Sequence, residues 1–139
     1  MLAEIGERCD AIEECYEFML AYAGKGLPGE EGSQAGEEIR QYLQRAAHAL
    51  AGLAKSYAKT IEKQRLEPAG KYQAFLGVLD RDARDSLAAI ELVLAQSVIS
   101  SQLIDNLNAS IHLRALLTDL FLIEEILAAQ RQEHPLVTS

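Results

Sequence analysis

The sequence predicts an all-α fold, a four-helix up-down-up-down bundle in a single domain spanning residues 1–139. Three observations lead there. Apolar residues recur at alternating four- and three-residue steps along most of the chain. No stretch alternates with period two for long enough to make a strand. Helix breakers gather at a few points, and Ala, Leu, Glu, Gln and Arg dominate elsewhere, all strong helix formers. The spacing places helices at about 2–23, 35–66, 69–104 and 108–130.

The first helix follows from Ile5, Cys9, Ile12, Tyr16, Met19 and Ala23, a seam of the coiled-coil type. Gly24, Gly26, Pro28 and Gly29 end it. The connector Gly24–Gln34 lacks the preceding strand and the Gly-Lys-Ser/Thr ending of a phosphate cradle. Ser33 suits the N-cap of the second helix, with Glu37 and Glu38 near its positive end. Ile39, Leu43, Ala46, Leu50, Leu53 and Tyr57 make the second seam. Glu67-Pro68-Ala69-Gly70 breaks the pattern, because proline disfavours helical geometry at Glu67 and suits the start of a helix. Beyond Gln130 the tail with Pro135 is expected to fray.

The stretch Ser86–Ala129 organises the rest, since its apolar residues are too many for one helix face. Ala83, Leu87, Ile90, Leu94 and Val98 form one stripe, and Ala88, Leu92, Ala95, Ile99 and Leu103 a second, roughly opposite. After a turn at Asp105-Asn106-Leu107-Asn108, with Asn108 as a possible cap, the pattern repeats. Leu113, Leu116, Leu117, Leu120, Ile123 and Leu127 face one way, and Ile111, Ala115, Leu122 and Ile126 another. Charged residues interrupt every window long enough to span a bilayer, so the second stripes call for protein, not lipid. They point to a homodimer whose interface uses Leu92, Ile99, Leu103, Ile111, Leu122 and Ile126.

The net charge of −8 resides in residues 1–38, where ten acids face two bases; the remainder balances. Such a surface repels nucleic-acid phosphates and suits either plain solvation or a basic protein partner. The second helix is basic, which favours antiparallel packing on the acidic first one. Cys9 and Cys15 stand about 9 Å apart along one helix, out of disulfide reach. They read as buried free thiols in a reducing, cytoplasmic compartment, and no secretory leader opens the chain.

Candidate chemistry is sparse. No Glu-x-x-His segment supports a di-metal carboxylate bundle, no Cys-x-x-Cys-His offers haem attachment, and no metal or cofactor is expected. Glu124 falls on the stripe of Leu117, Leu120 and Leu127, where a carboxylate must snorkel out or pair with a tyrosine hydroxyl or an arginine. With Ser97 and Ser101, small residues that permit either close helix approach or a pocket, it defines a candidate apolar-ligand site.

The segment His48-Ala49-Leu50-Ala51-Gly52, preceded by Arg45-Ala46-Ala47, resembles the phosphoacceptor segment of histidine-containing phosphotransfer domains, which are also four-helix bundles. The resemblance covers about eight residues. It implies an exposed His48 that accepts a phosphoryl group from a response-regulator aspartyl phosphate, with Gly52 clearing room for the partner. The family's lysine position is Ala51 here, and no second glycine follows further along the helix. Taken together, the residues favour a non-enzymatic interaction module (a small regulator, adaptor or inhibitor), with His48 phosphotransfer and ligand binding as the alternatives.

Overall fold

The computed structural model describes residues 2–30 and 32–133. Those residues form six helices and no strand: α1 (Leu2–Ala23), α2 (Gln34–Ala51), α3 (Leu53–Gln64), α4 (Ala69–Leu94), α5 (Ser101–Ala109) and α6 (Ile111–Glu133). α1 packs chiefly on α2 and α5, while α4 packs on α2, α3 and α6.

α1 buries Ile5, Cys9, Ile12, Cys15, Met19 and Tyr22. Tyr16 and Ala23, expected on the seam, are only partly buried, and Cys15 and Tyr22 take their places. The buried row takes a second three-residue step at Cys15 because a straight helix turns every 3.6 residues, not 3.5. α1 and α2 are antiparallel, as their contacts run in opposite order. Arg8 meets His48, Glu14 pairs with Arg45 at 3.1 Å, and Phe18 stacks on Tyr42 with centroids 4.2 Å apart. Ser33 caps α2, its Oγ accepting from the Gly36 amide at 3.0 Å.

The helix expected over 35–66 is broken at Gly52, which separates α2 from α3. Glycine weakens a helix interior, and the tertiary structure exploits the gap. A Cβ on Gly52 would stand 2.8 Å from Arg8 Nη2. The Arg8 guanidinium fills that space and donates through Nη1 to the carbonyls of His48 and Ala49, at 3.1 and 3.0 Å. Every residue of the second seam, from Ile39 to Tyr57, is nonetheless buried. α3 ends at Arg65, in the left-handed conformation, and the Leu66 amide donates to Ile61 O at 3.3 Å.

The helix expected over 69–104 stops at Leu94, and the turn expected at 105–108 lies inside α5. Arg40 of α2 holds the end of α4, donating through Nη1 to Leu94 O at 3.0 Å and through Nη2 to Gln96 O. Cationic donors at a helix C-terminus satisfy carbonyls that have no intrahelical partner. Ser100 then caps α5, accepting from the Leu103 amide at 3.1 Å. Asn108 does not cap the last helix; it is buried in α5, and its side chain finds no hydrogen-bond partner among the described residues. Ser110 makes the short break before α6, donating from Oγ to Leu107 O at 2.6 Å. The helix α6 continues past Gln130 to Glu133, and the expectation for the tail with Pro135 lies outside the described residues.

A buried clasp joins the end of α1 to the segment between α4 and α5. Tyr22 Oη donates to Ile99 O at 2.6 Å, and Ser101 Oγ donates to Tyr22 O at 2.6 Å. The Leu27 amide donates to Ser101 Oγ at 2.8 Å, and the Ser101 amide returns a bond to Leu27 O at 2.9 Å. Gly29 closes the clasp with φ +74°, and a Cβ there would lie 2.2 Å from Ile99 O.

Gly29→Ala therefore combines left-handed strain with a backbone collision, and is expected to cost more than about 3 kcal/mol in denaturant unfolding. Gly77→Ala, in α4 where an added Cβ meets nothing within 4 Å, is expected to stabilise by about 0.5–1 kcal/mol. Equal effects of the two substitutions would count against the clasp.

Candidate functional site

α6 has two differently used apolar faces. Its inner row of Leu113, Leu116, Leu117, Leu120, Ile123 and Leu127 is buried throughout. Ile111, Leu122 and Ile126, from the opposite stripe, are exposed, as is Phe121 beside them. Ala115 is partly covered. On α4 the expected second stripe also faces outward, with Ala88, Leu92 and Ala95 exposed. Two members of the expected interface behave otherwise. Ile99 is 1% exposed, because the chain has already left α4 and the clasp draws it into the core. Leu103 is half-buried in α5.

The three residues of the expected pocket have different surroundings. Ser97 is exposed, Ser101 is buried in the clasp, and Glu124 lies against Tyr57 and Cys9. Tyr57 Oη donates to Glu124 Oε1 at 3.5 Å and lies 3.5 Å from Cys9 Sγ. The oxygen–oxygen contact is long. Burial, followed by the neighbouring Cys9 and Glu124, pushes the Tyr57 hydroxyl well above its ordinary range. Burial also pushes the Cys9 thiol up to about 12, with Tyr57 opposing and Glu124 adding to the rise. Cys15 is likewise pushed up to about 12 by burial. Neither sulfur is a thiolate near neutral pH, so neither is an activated nucleophile. Among the described residues no group of three His, Cys, Asp or Glu side chains is placed to hold a metal ion.

His48 is exposed on α2, facing a groove of about 640 Å³ between α1 and α2. Glu4, Arg8, Gln44 and Arg45 share its walls. Within this groove Arg8 is held by Glu4, which accepts at 3.1 Å and also accepts from Ser56 Oγ at 3.2 Å. The Arg8 and Ser56 hydrogen bonds hold the Glu4 carboxyl below its ordinary range. Gly52 leaves no open approach beside His48, because the Arg8 guanidinium occupies the space its missing side chain would take. The glycine of this segment serves an internal contact.

Sequence reasoning did not identify the carboxyl pair between α4 and α6. Asp119 Oδ2 is buried without a donor among the described residues. Burial foremost, then the neighbouring Asp82 carboxylate, pushes Asp119 up to about 7. Two acids 37 positions apart carry no local signal; only the packing of α6 on α4 brings them together. A folded-state pKa above the unfolded value of 3.8 means that the contribution to stability is complete below 3.8 and is lost as pH rises towards 7. Asp119→Asn is thus expected to leave stability near pH 4 little changed. At pH 8 it should stabilise by about 1 kcal/mol, allowing for solvent screening. Unfolding curves of both proteins across that range test it, and a difference independent of pH would contradict the assignment.

No helix among the described residues is long and apolar enough to cross a membrane. No family model, no curated protein and no solved structure matches this chain.

Proposed function

We propose that the chain is a non-enzymatic helical interaction module, a small regulator, adaptor or inhibitor, that works through the outer faces of α4 and α6. One observation carries this reading. Large apolar side chains that the chain leaves uncovered include Leu92 at 67%, Ile111 at 65%, Phe121 at 57% and Leu122 at 50% exposure. Three of these four belong to one helix, and isolated exposed leucines are ordinary where a concentrated patch is not. The acidic outer side of α1, with Glu7, Asp10, Glu14 and Glu17 exposed, suits a basic segment of a partner. On this reading α2 and α3 serve as one bent leg and α5 as a short insertion in an up-down bundle. Buried free thiols suit a reducing, cytoplasmic setting.

A photo-crosslinking amino acid placed at Leu122 or Leu92, and at exposed Lys55 as a control, tests the surface in the native cell. Discrete adducts at Leu122 and Leu92, several-fold stronger than at Lys55, are expected. An adduct pattern indistinguishable from the control would remove the reading.

A second reading, phosphoryl transfer to His48, draws support from the exposed imidazole in a groove it shares with Arg8 and Arg45. In it, a ring nitrogen attacks an acyl phosphate and the carboxylate leaves. Incubation with radiolabelled acetyl phosphate should then give an acid-labile label that His48→Gln abolishes. Equal labelling of the two proteins, or none, would end this reading.

A further inference from the structure

The outer face of α6 carries enough pattern to specify what covers it. Its exposed positions Ile111, Arg114, Thr118, Phe121, Leu122, Glu125, Ile126 and Ala129 recur at three- and four-residue steps. With Ala115, all but Ile126 fall into three seven-residue rows: Ile111, Thr118 and Glu125; Arg114 and Phe121; Ala115, Leu122 and Ala129. A seven-residue repeat keeps a seam facing a second helix along its length.

We propose that this face pairs with the same face of a second copy, the two α6 helices running antiparallel about a two-fold axis at the level of residue 120. The proposal deepens the interaction reading of the same surface and rests on it. In this register Ile111 lies opposite Ala129 and Thr118 opposite Leu122, and Ala115 comes within one residue of the level of Ile126 on the same flank. Each layer sets a large side chain against a smaller one, and symmetry repeats each layer once. A two-fold axis perpendicular to the helices keeps each flank on its own side. Arg114 and Glu125 share one flank, so Arg114 of each copy meets Glu125 of the other, with Phe121 between the two pairs. A parallel pairing would instead swap the flanks, setting Arg114 beside Ala115 and Glu125 beside Ile126 of the other copy, and Ile111 against Ile111. Only the antiparallel arrangement brings each Arg114 to a Glu125, and opposite charges meeting across a seam are favourable, so the charges select it.

Sedimentation equilibrium of the full chain over micromolar to near-millimolar concentrations is the first test, and a dimer is expected. Leu122→Lys should weaken association by at least about tenfold, with helical circular dichroism unchanged and melting unchanged at concentrations where both proteins are monomeric, because the residue is exposed. Arg114→Glu and Glu125→Arg should each weaken it several-fold, and the double exchange should restore it. Oxidation of the Ile111→Cys, Ala129→Cys double variant should yield a disulfide-linked dimer joined between the two different positions. A monomer at every concentration, a dimer indifferent to Leu122→Lys, or a double exchange that fails to restore association would overturn the proposal. A monomer that still forms a discrete adduct of another mass at Leu122 would overturn only the second-copy assignment. A monomer without adducts would remove the interaction reading as well.

Discussion

The backbone around Ile99 is the constraint on which the rest depends. Its carbonyl receives the Tyr22 hydroxyl at 2.6 Å, and its close approach to Gly29 admits no side chain there. A buried carbonyl left without a donor costs about 1–3 kcal/mol, so the segment between α4 and α5 cannot drift from the end of α1 without loss. Arg40 reinforces the same junction from α2 by binding the last carbonyls of α4. Together they stop a helix whose residues would otherwise continue it, and they commit Ile99 and Ser101 to the interior.

Arg8 and Arg40 do the same work at two helix ends. Each is carried by a neighbouring helix, and each donates to carbonyls that the capped helix leaves unpaired. Caps supplied from another helix couple helix length to tertiary packing, since the cap exists only when both elements are docked. At Gly52 this coupling also explains a residue that sequence alone ties to His48. The short side chain makes way for the protein's own guanidinium, not for an incoming partner.

The burial of α6 is one-sided in a helix that is apolar on two sides. Six large aliphatic residues, from Leu113 to Leu127, face the core, and their transfer from water drives docking at roughly 1.5–3 kcal/mol for each fully buried side chain. Nothing in the described part of the chain covers Ile111, Phe121 and Leu122. Folding therefore meets the demands of one stripe and leaves the other displayed, in register with charges of both signs. Against α4, the same helix brings Asp119 beside Asp82, so one apolar contact carries an acid pair that is less favourable once ionised.

What the amino-acid sequence determined by itself is whatever local spacing encodes: the all-helical class, the extent of α1, the buried seam through α2 and α3, the inner row of α6 and the identity of its outward stripe. These follow from the period of the helix and the position of Gly and Pro, which act within a few residues. Only the tertiary structure decided the break at Gly52, the end of α4 at Leu94 and the burial of Ile99. Each depends on a partner remote in sequence, Arg8 for Gly52, Arg40 for Leu94 and Tyr22 for Ile99. A local pattern is silent about such contacts because the hydrogen bonds that end these helices are made by side chains arriving from other helices.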